Sequence, residues 1–196
     1  MTHLILIRHG ETDWNIQGRW QGQEDVPLNR RGRQQVQQAA KTMANKNINA
    51  IYASDLTRAV DTAKPLARIT RLRIRLDSRL REIHQGEWQG LLISEIQSRY
   101  ADLFQKRINN PMEVAPPGGE TVHQVWERVR QALNEIVKKH PSETVAIVSH
   151  GFVLALARVH FEHRPLEDVW GMVPGPCESY IYDVHPEKAW EKYEPK

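Results

Sequence analysis

The chain has 196 residues, of which 40% are hydrophobic and 26% charged, and this size predicts a single domain over residues 1–196 with one core. Its formal net charge of +3 is too modest to favour a nucleic-acid partner, and its first apolar stretch, at 4–7, is too short for a signal peptide or a membrane span. Because Cys177 is the only cysteine, an internal disulfide is excluded and we expect a reducing, cytoplasmic compartment.

Short apolar runs alternate along the chain with helical patterns. In chain order, the predicted elements are a strand at 4–7, a long loop at 11–27, a helix from Asn29 to about Asn47, a strand at 48–53, a helix at about 56–69 capped by Ser54 and Asp55, a strand at 71–76, a helix at about 94–106, a helix at 121–140, a strand at 144–149, a helix at 152–161 and a strand at 179–184. This alternation predicts an α/β fold, a three-layer α/β/α sandwich with a mostly parallel central sheet. The segment at about 82–119 interrupts the alternation, and we expect it to form a lid.

Five residues lie just beyond predicted strands, where functional residues of parallel sheets collect. A neutral imidazole at His9 would attack phosphorus. Arg8, Arg58 and a protonated His150 would stabilise the phosphoryl oxygens in place of a metal ion, so we expect neither a metal nor a cofactor. Glu82 would protonate the leaving oxygen and, as the resulting carboxylate, activate water.

Ordered motifs along nearly the whole chain resemble one known family. They are Arg8-His9-Gly10-Glu11-Thr12 with Asn15, Gln21-Gly22 with Asp25, Pro27 and Leu28, Ser54-Asp55-Leu56-Thr57-Arg58-Ala59 with Thr62-Ala63, Arg81-Glu82, Gly86-Glu87-Trp88-Gln89-Gly90, Pro117-Gly118-Gly119-Glu120-Thr121 and Ser149-His150-Gly151. This set resembles the histidine phosphatase superfamily, which includes the cofactor-dependent phosphoglycerate mutases. The resemblance implies a phosphoglycerate mutase-like fold, His9 as the phosphorylated nucleophile and the other four residues in the roles given above. It adds Asn15 as a further phosphate contact.

Further residues are expected to contact the substrate or to shape the site. Gly151 follows His150 in the last motif. His84 lies two residues after Glu82 and would contact the part of the substrate beyond the phosphate. Trp14, Trp20 and Trp88 are expected to pack around the rim of the pocket.

Phosphatase and mutase activity are the closest alternatives. Mutases of the family resemble a Glu-Arg-x-Tyr-Gly pattern at the proton-donating glutamate, whereas Glu82 is followed by Ile83-His84-Gln85-Gly86. They also carry extra basic residues that keep a bisphosphate bound, which cannot be placed on this chain. We therefore predict a metal-independent, histidine acid-type phosphatase that hydrolyses phosphomonoesters of small metabolites, with a cofactor-dependent phosphoglycerate mutase as the alternative.

Two other classes stay open. His9, His84 and His150 with nearby carboxylates could hold a metal, although no HxH or HExxH spacing supports this. A non-catalytic phosphate-binding module would be expected to lack at least one pocket residue, yet all five are present.

The predicted partner is a small phosphorylated metabolite, and the candidates are phosphoserine, phosphoglycerate, α-ribazole phosphate and sugar phosphates. If His84 binds a carboxylate, carboxylate-bearing substrates are favoured. We expect no nucleic-acid and no membrane partner. The late strand near Tyr180 to Val184 would offer a sheet edge for a homodimer.

Overall fold

The computed structural model of the chain describes residues 1–185 and Trp190. Its strands form one five-stranded sheet in the order β3-β2-β4-β1-β5. Their bounds are Thr2–Arg8 for β1, Ile48–Ala53 for β2, Ile74–Leu76 for β3, Thr144–Ser149 for β4 and Ser179–Val184 for β5. The first four strands are parallel to one another, and β5 runs antiparallel to β1 at one edge. The predicted α/β class with a mostly parallel sheet is confirmed.

Helices cover both faces of this sheet. Their bounds are Asp13–Gln17 for α1, Arg30–Met43 for α2, Thr57–Thr70 for α3, Ile93–Arg99 for α4, Ala101–Asn109 for α5, Val122–Lys139 for α6 and Gly151–Phe161 for α7, with 3-10 turns at Ser78–Leu80, Gly86–Trp88 and Leu166–Met172. Successive side chains of β1 point into two different hydrophobic cores, one on each face of the sheet. Ile5 packs with α2 and α3 on one face, and Leu4 packs with α6 and α7 on the other. The three predicted layers follow from this alternation.

The predicted loop at 11–27 is wrong in one respect, because it contains the short helix α1. Thr12 and Asn15 form a capping box, in which Thr12 Oγ1 accepts from the Asn15 amide at 3.3 Å and Asn15 Oδ1 accepts from the Thr12 amide at 3.0 Å. Asn15 is thereby fixed on a turn of helix directly after the end of β1.

The predicted cap of α3 is also wrong. The Thr57 amide donates to Asp25 Oδ1 at 2.7 Å, so the capping oxygen comes from the preceding long loop. Ser54 Oγ instead accepts from the Leu56 amide at 3.3 Å, and Asp55 forms a bidentate pair with Arg81. The hydrogen bond between Thr57 and Asp25 ties the 11–27 loop to the helix that carries Arg58.

Two predicted elements of the middle of the chain have other bounds. The single helix at about 94–106 is two helices, because the non-helical backbone of Tyr100, at φ −131° and ψ 35°, separates α4 from α5. The strand at 71–76 begins only at Ile74, since Arg71 ends α3 in the left-handed conformation at φ 58°. A lid function for 82–119 stays a prediction. In the part of the chain that the structure describes, no helix has the length and apolar character needed to cross a bilayer.

Candidate active site

The site begins where β1 and β4 end side by side. Arg8 pairs with Ser149 in the parallel register, and the His9 amide donates to the Ser149 carbonyl at 3.0 Å. The residues that follow each strand, His9 and His150, therefore leave the same edge of the sheet, and their ring centroids lie 5.2 Å apart. Both imidazoles are buried.

His9 is held in one tautomer. Its Nδ1 lies 2.7 Å from the carbonyl oxygen of Gly10, so Nδ1–H donates there and the lone pair stays on Nε2. Burial lowers the pKa of His9 well below its ordinary value, and the positive charges of Arg58 and Arg8 lower it further. The imidazole is therefore neutral, with a free electron pair at Nε2 for attack on an electrophile.

Gly10 lets the chain pass close to its neighbours at this point. A Cβ on Gly10 would lie 2.9 Å from both the carbonyl oxygen of Gly32 and Cγ1 of Val36, inside ordinary contact distance. The Gly10 amide donates to Thr62 Oγ1 at 3.0 Å, which joins the end of β1 to α3. Close packing of the helix layer thus fixes the peptide that orients His9.

Two guanidinium groups face the cavity. Arg58 is fully buried, and its Nη1 and Nη2 donate to the carbonyls of Glu24 and Gly22 at 2.6 and 2.7 Å. Arg8 Nη1 donates to the carbonyl of Pro174. Burial lowers the pKa of Arg8 and lowers that of Arg58 to about 10, so both stay charged near neutral pH. The Nε–H of each is buried with no hydrogen-bond partner among the described residues, which suits an anion.

His150 is buried beside His9 without polar contacts among the described residues. Neither ring nitrogen has a hydrogen-bond partner within residues 1–185 and 190. Burial is the main cause that lowers its pKa well below the ordinary value, and the charge of Arg58 adds to it. In the ligand-free protein these effects favour the neutral ring, and a protonated His150 beside a bound phosphate stays a prediction. A phosphate dianion beside it would supply the negative charge that the protonated form requires.

Glu82 lies on irregular chain beyond the 3-10 turn at Ser78–Leu80. Its Oε1 accepts from the Ile83 amide at 3.0 Å, and its Oε2 accepts from the Phe152 amide at 3.1 Å. Phe152 is in the first turn of α7, directly after His150 and Gly151. The carboxyl group thus lines the cavity and is held against the helix that follows the second histidine.

A cavity of about 250 Å³ connects most of these groups. The predicted site residues that line it are Arg8, His9, Asn15, Arg58, Glu82 and Gly151. His150 lies behind its lining, against His9. His84 is outside the lining, and its Nδ1 accepts from the Gly86 amide at 3.1 Å, so the structure gives no support to its predicted contact with substrate.

Sequence reasoning missed part of the cavity wall. Trp170 lines the cavity, with its ring centroid 4.8 Å from that of Phe152 and 6.4 Å from that of Trp20. Of the three tryptophans predicted at the rim, only Trp20 lines the cavity, and Trp88 is fully buried beneath it. Trp170 belongs to a 3-10 turn far along the chain, and no motif marks it.

Metal ligands are not gathered at the cavity. In the described ranges, 1–185 and 190, no group of three or more His, Cys, Asp or Glu side chains is arranged to hold a metal ion. The positive charge in the cavity comes from guanidinium groups.

Comparisons with known proteins place the chain in one family. The family model of the histidine phosphatase superfamily, branch 1, matches residues 4–193. The chain is 37% identical over 150 residues to phosphoserine phosphatase 1 of Hydrogenobacter thermophilus, covering 76% of this chain and 71% of that protein. It is 37% identical over 154 residues to phosphoglycerate mutase-like protein 4 of Arabidopsis thaliana, covering 77% and 67%. The solved structure of Bacillus stearothermophilus YhfR matches with a TM-score of 0.85 and 37% identity, covering 94% and 92%. The resemblance inferred from the motifs is confirmed, and the chain belongs to branch 1 of the histidine phosphatase superfamily.

Proposed function

We propose that this protein hydrolyses small phosphate monoesters through a phosphohistidine on His9. One observation carries the proposal: His9, a neutral imidazole with a free Nε2, lines one cavity together with Arg8 and Arg58, and each of these guanidinium groups keeps a buried Nε–H without a partner among the described residues. These donors suit the equatorial oxygens of a transferring phosphoryl group. Membership of the family and the phosphatases among its relatives support the same activity.

In the first half-reaction, His9 Nε2 forms a bond to phosphorus as the bond from phosphorus to the ester oxygen breaks. Protonated Glu82 gives its proton to that oxygen, so an alcohol leaves and a carboxylate remains. His9 then carries the phosphoryl group on Nε2, while its Nδ1–H still donates to the Gly10 carbonyl. Arg8, Arg58 and His150 stabilise the phosphoryl oxygens, and Asn15 on α1 is a further contact.

In the second half-reaction, the Glu82 carboxylate takes a proton from water, and the water oxygen bonds to phosphorus. The bond from phosphorus to His9 Nε2 breaks, so phosphate leaves and both residues return to their starting states. The carboxyl group performs both proton transfers from one position, which its bonds to the Ile83 and Phe152 amides maintain.

The cavity favours water over a second substrate oxygen as acceptor. A mutase must retain a bisphosphate, which needs cations beyond those that bind the first phosphate. Among the described residues that line the cavity, the one further cation is Arg19. Its Nη1 donates to the Gly90 carbonyl at 2.6 Å and lies 3.6 Å from Glu95 Oε2, and its Nε donates to Gln17 Oε1 at 3.0 Å, so its charge is already paired with a carboxylate. Hydrolysis is therefore the primary proposal and phosphoglycerate mutase activity the alternative.

A metabolite panel tests the proposal. Phosphoserine, 3-phosphoglycerate, glucose 6-phosphate and p-nitrophenyl phosphate are incubated with the wild-type protein, His9→Ala and the control His123→Ala, which changes an exposed histidine of α6. We expect phosphate release by the wild type and the control, and none by His9→Ala. Interconversion of phosphoglycerates with negligible hydrolysis would favour the mutase, and activity lost to chelators and restored by zinc would favour a metal enzyme.

Three finer properties belong to this proposal. The substrate is a small phosphorylated metabolite, and a carboxylate on it stays a prediction that rests on His84. The single cysteine supports a reducing, cytoplasmic location. The outer edge of β5, where Ile181 is exposed, supports a homodimer through the sheet edge.

A further inference from the structure

The segment that carries Glu82 is held by side chains where regular secondary structure is absent. Arg128, in the middle of α6, donates from Nη1 to the carbonyls of Arg79 and Arg81 at 2.7 and 2.6 Å. Its Nη2 donates to the carbonyl of Glu82 itself at 3.0 Å. One guanidinium group therefore binds three carbonyls within four residues of chain, and the last of them belongs to the proposed general acid.

Glu120 fixes this guanidinium in turn. Its two carboxylate oxygens accept from Arg128 Nε at 2.8 Å and Nη2 at 2.9 Å. Glu120 Oε2 also accepts from the His84 amide at 2.8 Å, and the Glu120 amide donates to the His84 carbonyl at 2.8 Å. The pair thus clamps the chain on both sides of Glu82.

All five N–H donors of Arg128 are used in this arrangement. The Nε–H binds Glu120, the two Nη1 protons bind Arg79 and Arg81, and the two Nη2 protons bind Glu82 and Glu120. A lysine would keep the charge but offers only three donors from one atom, so it cannot reproduce the fork. The side chain is largely buried, with 17% exposed, and this gives the contacts a low-dielectric setting.

The geometry points to Arg128, held by Glu120, as a positioning residue that sets the Glu82 carboxyl group against the leaving oxygen. This inference rests on the proposed function, because it assigns Arg128 to the step in which Glu82 gives its proton. Arg128 contacts neither substrate nor phosphorus in this scheme. It acts by fixing the backbone from which the Glu82 side chain extends toward the Phe152 amide.

Leaving-group dependence separates positioning from simple stabilisation of the fold. A nitrophenolate leaves phosphorus without a proton, whereas the alkoxide of benzyl phosphate needs one. The two substrates carry rings of similar size, so binding changes affect both. If Arg128 positions the acid, its loss must reduce turnover of benzyl phosphate far more than that of p-nitrophenyl phosphate.

The experiment compares Arg128→Met and Arg128→Lys with Arg130→Met, a control on the same helix whose side chain is also 17% exposed and ion-paired to Glu127. We expect kcat/KM of both Arg128 variants to fall about 100-fold for benzyl phosphate and less than about 5-fold for p-nitrophenyl phosphate. Arg130→Met should keep the wild-type ratio between the two substrates. Equal losses on both substrates, or the same change of ratio in Arg130→Met, would overturn the inference.

A second variant and a second measurement cover the case in which Arg128→Met does not fold. Glu120→Gln keeps the side-chain shape and removes the charge that fixes Arg128, so we expect the same change of ratio with a smaller loss. Amide exchange needs no activity: exchange at Ile83 and Phe152, whose N–H groups bind the Glu82 carboxyl, should accelerate in Glu120→Gln and Arg128→Lys. Unchanged exchange at both amides would overturn the inference. If the wild type hydrolyses neither phosphate, the proposed function is contradicted. The exchange data still test separately whether Arg128 and Glu120 hold the Glu82 carboxyl group in place.

Discussion

The ring centroids of His9 and His150 lie 5.2 Å apart, although the two residues are far apart in the sequence. The parallel register that pairs Arg8 with Ser149 brings them together. Since successive residues of a strand point to opposite faces, a shift of this register by one residue would separate the two rings. The site therefore depends on packing of the whole sheet, and its parts can be tested one at a time.

Arg58→Lys should lower kcat/KM for p-nitrophenyl phosphate by about 100-fold. Arg58 uses two nitrogens to hold the carbonyls of Gly22 and Glu24, and its Nε–H has no partner among the described residues. A lysine ammonium cannot hold both carbonyls and also keep a separate donor for the proposed phosphate. Steady-state kinetics measure the loss, and Arg68→Lys on the exposed end of the same helix is the control. Equal activity of the two variants would remove Arg58 from the proposed phosphate pocket.

The pH profile of kcat/KM reports the charge of His9. Burial, Arg58 and Arg8 all lower its pKa from 6.5, so the reactive neutral form persists as the pH falls below 6.5. In Arg58→Met one positive neighbour is gone, and the acid limb of the profile should move upward toward 6.5. The substrate's own phosphate titrates equally for both proteins, so the difference between the two profiles isolates the enzyme. An acid limb that moves downward would contradict the electrostatic account.

Gly10→Ala tests the close packing behind His9. The added methyl group would lie 2.9 Å from the Gly32 carbonyl oxygen, and we expect the free energy of unfolding to fall by about 1–3 kcal/mol. Urea denaturation measures this change. Gly171→Ala is the control, because a Cβ there meets no atom within 4 Å and should change stability little. Similar effects of both substitutions would show that packing at Gly10 is not tight.

His160 should make stability depend on acid pH. Its ring stacks on Trp190 with centroids 4.8 Å apart, and burial, helped by His163, lowers its pKa from 6.5 to about 4. As the pH falls below 6.5 the unfolded chain binds a proton at this residue before the folded chain does, so the free energy of unfolding declines until about pH 4.

His160→Phe keeps an aromatic ring and removes the titrating group, so its melting temperature should fall less between those pH values than that of the wild type. The exposed His123, changed to Phe, is the control and should follow the wild type. An equally steep decline in His160→Phe would assign the acid sensitivity to other groups, among them His9 and His150, whose pKa values are also lowered.

Strand ends were the most predictable part of the site, for a physical reason. Apolar runs at the ends of β1 and β4 mark buried parallel strands, and the geometry of a parallel sheet then gathers the residues that follow them. That reasoning places His9 and His150 together without any knowledge of side-chain contacts. The same geometry accounts for Arg8, because it is the last residue of β1.

Contacts that join distant segments left no local signal. Arg128 lies on an ordinary amphipathic helix, and only the fold shows that its donors meet the carbonyls of 79–82. The oxygen that caps α3 at the Thr57 amide comes from Asp25, which is more than thirty positions away in the sequence. Ser54 and Asp55 are much closer to Thr57 in the sequence, yet neither accepts from this amide. Trp170 reaches the cavity from a 3-10 turn, and His84 turns back to its own loop. The spacing of residues in the sequence does not indicate which distant segment a side chain will contact.

Trapping the covalent intermediate tests the central claim most directly. Glu82→Gln should accumulate it from p-nitrophenyl phosphate, because nitrophenolate leaves without an acid whereas hydrolysis of the phosphohistidine needs the base. After denaturing quench at alkaline pH, mass spectrometry of the peptides should find an acid-labile phosphate on His9, absent when His9 is also changed to Ala. Rapid release of nitrophenolate with no phosphate on His9, or turnover that survives His9→Ala, would contradict the account.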